Sequence, residues 1–157
     1  VAELDTTFEV ETSADGTVSL AGVIDENADL SFFGQLSGHS LVNVRYIRRI
    51  NSYGVRAWIE AVRSVPRGAT FELIECPPSM VDQINMVAGF AGRGQVTSFF
   101  VPMECDRCAN AEDRLFYTSD FRQLGRLPEI SCSKCGGGLH VDDLEEQYLL
   151  FAREPGE

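Results

Sequence analysis

The sequence contains no run of about 18 or more apolar residues, so nothing in it reads as a membrane-spanning helix. Its first residues, Val1-Ala2-Glu3-Leu4-Asp5, have neither the basic start nor the apolar centre of a secretory leader, which sets the expectation of a cytoplasmic protein. Basic residues are scarce. Thirteen Lys and Arg stand against twenty-four Asp and Glu, a formal charge of −11, and such a surface repels a phosphate backbone, which argues against nucleic acid as a partner. A glycine-rich phosphate loop is also lacking, because Gly136-Gly137-Gly138 follows a cysteine pair and reads as hairpin flexibility. His39 and His140 are the only histidines, and neither is close enough in sequence to Cys76 to activate its thiol. The acids Asp142-Asp143 and Glu145-Glu146 are adjacent along the chain rather than opposed as an acid and a base. These absences set the expectation of a protein that is not an enzyme.

What is present is enough for one ordinary domain and something smaller: 157 residues, 44% of them hydrophobic. Residues 7–25 alternate, turn at Ser13-Ala14-Asp15-Gly16 and alternate again, which reads as a β-hairpin. Leu30, Phe33 and Leu36 suggest a first helix between Glu26 and Ser37, stopped by Gly38. The apolar run Leu41-Val42-Asn43-Val44 then reads as a strand. After the turn Ile50-Asn51-Ser52-Tyr53-Gly54, Val55, Trp58, Ile59 and Val62 recur at the spacing of a helix with one buried face, which Pro66-Arg67-Gly68 ends.

Further on, Thr70–Cys76 reads as a strand and Pro77-Pro78-Ser79 opens a third helix, since proline is tolerated in a first turn. Thr97–Val101 reads as the last strand of the sheet. The order β-β-α-β-α-β-α-β predicts an α/β layer structure with a mixed sheet. From residue 103 the helical period fades, and only the stretch from Asp143 to Arg153 offers an apolar set, which suits a short helix or a strand, the helix being the favoured reading. The expected division is 1–102 for the α/β part and 103–157 for a cysteine-bearing part that abuts it.

The Asn51-Ser52 turn is the stretch on which a binding function centres. Asn51 or Ser52 would cap the helix by accepting a bond from an orphan backbone N–H, and Gly54, lacking a Cβ, would let the first turn pack closely. A hydroxyl there is exposed at the positive end of the helix dipole, where an added phosphate is favoured. Local chemistry alone leaves Ser52 either a switch or only a cap.

The segments Leu20-Ala21-Gly22-Val23-Ile24-Asp25, Ile50-Asn51-Ser52-Tyr53-Gly54-Val55 and Leu73-Ile74-Glu75-Cys76-Pro77-Pro78-Ser79 resemble, in order and spacing, those of a STAS domain. That fold is shared by bacterial anti-sigma-factor antagonists and the cytoplasmic tails of sulfate transporters. The resemblance covers roughly the first two thirds of the chain. It implies a signalling adaptor whose partner is an anti-sigma-type serine kinase, or a sensory or transport complex. Ser52 would match the serine such a kinase phosphorylates, and Asp25 an acidic residue of the same surface. The sequence departs from the family at Asn51, where the family has aspartate, at Tyr53, where it has a second small residue, and at Arg45, Arg48 and Arg49, in a segment usually less basic. All seven are candidate partner-binding residues. An alternative is an assembly subunit in which Ser52 is only a cap and the cysteine part mediates oligomerisation.

Cys105-Asp106-Arg107-Cys108 and Cys132-Ser133-Lys134-Cys135 have the spacing of two zinc knuckles, each presenting two thiolates from a tight turn. Structural Zn²⁺ in a zinc ribbon is the reading these four cysteines support. A thioredoxin-type redox dithiol expects one pair in a βαβ setting, rubredoxin-like iron knuckles usually carry proline within the first pair, and disulfides do not suit a chain without an export signal. With four protein ligands the metal has no open position for substrate. Twelve acids against six bases from residue 103 onward favour protein contact over nucleic acid.

Overall fold

A computed structural model describes residues 7–153; the first five residues, read above for a leader, lie outside the described residues. The chain is mixed α/β, with a five-stranded mixed sheet and a three-stranded antiparallel one. The strands β1 (Phe8–Thr12) and β2 (Val18–Ile24) form the expected antiparallel hairpin. Its turn is closed by Ser13 N–H to Thr17 O at 2.9 Å and by the Asp15 carboxylate, which accepts from Thr17 N–H at 2.9 Å. β3 (His39–Ile50) and β4 (Thr70–Ile74) follow in parallel, and the two residues of β5 (Gln95–Val96) complete the order β1-β2-β3-β4-β5. Among the described residues no helix is long and apolar enough to cross a membrane.

The buried face of this sheet carries Leu20, Ile24, Val42, Val44, Ile47, Phe71 and Leu73. Against it lies α1 (Ser52–Arg63), whose Trp58 stacks on Phe90 with ring centroids 5.4 Å apart, meets Phe33 edge-on at 5.1 Å and donates its indole N–H to Phe90 O at 2.8 Å. A buried indole with its one donor satisfied contributes area without a polar penalty. α2 (Pro78–Met86) starts on the expected prolines and packs on β3, with Ser79 Oγ donating to Ile47 O at 3.3 Å.

Three expectations are corrected. The first helix is a 3-10 turn, Ser31–Gln35. Leu30, Phe33 and Leu36 repeat every three residues, the period of a 3-10 helix, and all three are buried. The strand expected at Thr97–Val101 lies in a second sheet and keeps one parallel bridge to the first, Cys76↔Phe99, where Cys76 N–H bonds Ser98 O at 3.1 Å and Phe100 N–H bonds Cys76 O at 2.8 Å. Glu75, at φ +55, stands between the Cys76 bridge and the ladder in which β4 pairs with β5 at Glu72↔Gln95 and Leu73↔Val96. The following residues form β6 (Ser98–Cys105), the centre of the second sheet, between β7 (Ala111–Tyr117) and β8 (Leu139–Val141). The helix expected over 143–153 is two short ones, α4 (Glu145–Tyr148) and α5 (Leu150–Arg153), while the sequence reading did not anticipate α3 (Thr118–Leu124).

β6 runs across position 102, and one cluster of buried side chains joins Trp58 and Phe71 to Phe99, Val101, Phe116, Tyr148 and Leu149. Phe99 meets Phe151 edge-on at 5.0 Å. Asn85 on α2 donates to Tyr148 O at 2.9 Å and accepts from Phe151 N–H at 3.0 Å, pinning the C-terminal helices to α2. Tyr148 donates its hydroxyl to Phe100 O, and its burial raises its pKa.

The longest strand is irregular. Between the pairs Ser19↔Asn43 and Ala21↔Tyr46, and again between Gly22↔Ile47 and Val23↔Arg49, β3 uses one residue more than β2. These bulges let Val44 and Ile47, three apart, both face the core while Arg45, Tyr46, Arg48 and Arg49 are exposed.

Candidate functional site

The four cysteines that the sequence singled out come together at one end of the second sheet. Cys105 ends β6, Cys108 follows on the tight turn leading to β7, and Cys132 and Cys135 lie on the turn leading to β8. Their sulfurs all lie within 4.8 Å of one another, with Cys105 and Cys135 at 3.4 Å and Cys108 and Cys132 at 3.7 Å. All are free thiols, too far apart in these pairs for a disulfide.

Each knuckle points backbone donors at its own sulfur. Arg107 and Cys108 N–H reach Cys105 Sγ at 3.3 and 3.4 Å, Lys134 N–H reaches Cys132 Sγ at 3.4 Å, and Gly137 N–H reaches Cys135 Sγ at 3.4 Å. The backbone donors of Cys135 and Lys134 hold the Cys132 thiol down to about 6, and that of Cys108 lowers Cys105. Cys108 goes the other way, to about 12: the Asn110 backbone donor favours its thiolate, but desolvation and the sulfurs of Cys135, Cys105 and Cys132 outweigh it. Four thiolates at this separation require a cation to be charged together.

A polar group that the sequence reading missed supports the second knuckle. Glu112 accepts from Arg114 at 2.7 Å, from Asn110 Nδ2 at 3.0 Å and from the Ser133 hydroxyl. The bonds from Ser133 and then Arg114 lower its pKa. Arg114 donates onward to Ser131 O at 2.9 Å, and Asn110 Nδ2 approaches Cys132 Sγ at 3.8 Å. The signal was available in the alternation Asn110-x-Glu112-x-Arg114 directly after Cys108, which places three polar side chains on one face of a strand. His140 bonds Asp106 at 2.6 Å and stands outside the sulfur cluster, and Cys76 is fully buried with its thiol pKa raised by desolvation, an inert apolar residue.

At the other candidate site, β2 and β3 end side by side. Asn51 N–H donates to Ile24 O at 3.2 Å, and Asn51 is the cap of α1: its Oδ1 accepts from Gly54 N–H at 2.8 Å while its Nδ2 donates to Glu26 at 3.3 Å. Ser52 is the first residue of the helix and is exposed, and no hydrogen bond of its hydroxyl is seen among the described residues. Tyr53 is 66% exposed beside it.

Comparison with protein-family models, with curated proteins and with solved structures gives no match.

The remaining candidates divide. Asp25 sits next to Asn51 through the Ile24 contact, but it is only 9% exposed and its carboxylate closes its own turn, accepting from Asn27 N–H at 2.9 Å. Arg49 precedes the turn by two residues on β3. Arg45 lies six residues before Asn51, about 20 Å along an extended strand. Its guanidinium is 3.4 Å from Glu75 and packs against the rings of Phe100 and Tyr46 at 5.1 and 5.6 Å. The turn thus gathers Asp25, Asn51, Ser52 and Tyr53, with Arg48 and Arg49 on the adjoining strand end and Arg45 at a separate place.

The division of labour between Asn51 and Ser52 has a direct check. Asn51→Ala is expected to cost about 1 kcal/mol through loss of the cap, and Ser52→Ala less than about 0.5 kcal/mol, by chemical denaturation. Equal losses would mean that Ser52 shares the capping role.

Proposed function

We propose that this chain is a non-enzymatic regulatory adaptor that docks a protein partner through the Ser52 turn, with a structural Zn²⁺ held by Cys105, Cys108, Cys132 and Cys135. The observation that carries the docking site is the hydroxyl of Ser52, exposed in the first turn of a helix already capped by its neighbour. With the cap supplied by Asn51, a serine at this position has no local bond to keep, and a phosphate there would meet free backbone donors and the helix dipole. The hairpin, the parallel β2, β3 and β4 and the helix entering directly after β3 are consistent with the STAS resemblance. An anti-sigma-type serine kinase, or a signalling complex that uses the domain as an adaptor, is the partner that this reading favours.

Zinc is favoured by the ligands themselves. A tetrahedral Zn²⁺ at about 2.3 Å from each thiolate sets sulfur separations near about 3.8 Å, close to the 3.7 Å between Cys108 and Cys132. The backbone donors around the sulfurs supply the surrounding bonds that a thiolate cage needs.

The test pairs binding with stability. Ser52→Asp is expected to reduce recovery of the partner from a native lysate by about tenfold or more. Its melting temperature should stay level or rise slightly, because a carboxylate at a helix N-terminus is favourable by about 0.3–1 kcal/mol. Equal recovery by both proteins, with captured chains compared by mass spectrometry, would move the contact away from Ser52.

A further inference from the structure

A surface cleft lies beside β8, bordering the sulfur cluster through Ser131 and Leu139 and apart from the Ser52 turn. It is a slot between two extended stretches, 127–131 and 138–141, that meet at the single bridge Ser131↔Gly138 and then diverge. Met103 lies at its base. Leu127 and Ile130 line one wall and Leu139 and Val141 the other, all four half-buried against the core.

The register determines which way the β8 backbone faces. Glu104 pairs with His140, Asp106 N–H bonds Gly138 O at 2.9 Å and Asp142 N–H bonds Pro102 O at 2.8 Å, so residues 138, 140 and 142 spend their peptide groups on β6. In an antiparallel ladder the alternate residues point the other way. The N–H and C=O of Leu139 and Val141 therefore face the slot. At the Ser131↔Gly138 bridge, where Cys132 N–H bonds Gly137 O at 2.8 Å, Leu139 N–H meets the Ile130 C=O, so that the Leu139 C=O and both groups of Val141 have no backbone partner among the described residues. A sheet edge of this kind is a template for an added strand.

The slot also selects by charge. Glu129 stands on one side and Glu145 at its end, Asp142 and Asp143 follow β8 directly, and no lysine or arginine lines it. We infer that this edge takes up an extended segment of another protein in which apolar side chains alternate with basic ones, the backbone pairing with both groups of Val141 and with the Leu139 C=O, and the basic groups meeting Glu129 and Glu145. The apolar residues of such a strand would fall on Met103, Leu127 and Ile130.

The probe is a displayed library of short linear peptides selected against the metal-loaded full chain. Enriched sequences are expected to alternate apolar and Lys or Arg residues, and to shift the backbone amide resonance of Val141 on titration. Two variants keep the ladder to β6 intact. Val141→Pro removes only an N–H that faces the slot, a position an edge strand tolerates, and should abolish binding. Glu129→Lys with Glu145→Lys should weaken it by roughly tenfold or more, with metal content and melting temperature checked for each variant. No enrichment, peptides without basic residues, amide shifts confined to other elements, or charge-reversed protein that binds as wild type would each overturn the inference. So would a concentration-dependent dimer abolished by Val141→Pro, which would give the edge to a second copy of this chain.

Discussion

Gly54→Ala is expected to destabilise the protein by about 3 kcal/mol or more, a fall in melting temperature of roughly 6–12 °C for a chain of this size. A Cβ added at Gly54 would lie 2.0 Å from the Ile24 carbonyl oxygen and 2.6 Å from its carbon. Those are backbone atoms, and the same carbonyl accepts from Asn51 N–H, so the strand end cannot retreat without losing the bond that anchors the turn. Moving the helix instead would pull Gly54 N–H from Asn51 Oδ1 and shift Trp58 in a filled core. Gly68→Ala is the matched control, since a methyl there meets nothing within 4 Å and φ is not positive. A Gly54 variant as stable as the control would show that α1 does not sit on β2 as closely as described.

Removal of the metal proposed for the four cysteines is expected to dissolve one end of the molecule and leave the rest folded. After treatment with a strong chelator, amide exchange over 105–110 and 131–138 should accelerate by about a hundredfold or more, a loss of roughly 3 kcal/mol in local opening free energy. Amides of β2, β3 and α1 should keep their protection, because Phe99, Val101, Phe116, Tyr148 and Leu149 belong to the same core as Trp58. The whole part after residue 102 is therefore not expected to unfold, although its four thiolates are too close to remain charged together without a cation. Cys132→Ser should reproduce the chelated pattern. Unchanged exchange over 131–138 would instead show that the Glu112 bonds to Ser133 and Arg114, with Cys132 N–H to Gly137 O, hold the knuckle unaided.

The elements legible in the sequence are those whose signal is local. Asp15-Gly16 marks the hairpin turn, the spacing from Val55 to Val62 marks α1, and two Cys-x-x-Cys pairs converge because their ligand spacing has few other uses. The illegible parts depend on distant neighbours. Arg45-Tyr46-Ile47-Arg48-Arg49 reads as neither strand nor helix because the bulges against β2 interrupt its two-residue period. Nothing local in Ser98–Val101 reveals that this strand keeps a single bridge, Cys76↔Phe99, to the first sheet and takes its flanking strands from the second. At the candidate site, residue types identified the turn, but only the backbone geometry gave the cap to Asn51 and left Ser52 without one.

Strand β6 carries Phe99 near one end and Cys105 of the sulfur cluster at the other, and it is hydrogen-bonded on both sides. The cysteine-bearing part is accordingly not a detachable appendage. A fragment ending at 102 would keep Phe99 and Val101 while losing the strands that flank them, turning the middle of a sheet into a bare apolar border prone to self-pairing. A fragment beginning at 103 would inherit the sulfurs without the strand half that ties them to the core. Shuffling or grafting either portion would have to carry the whole of this strand.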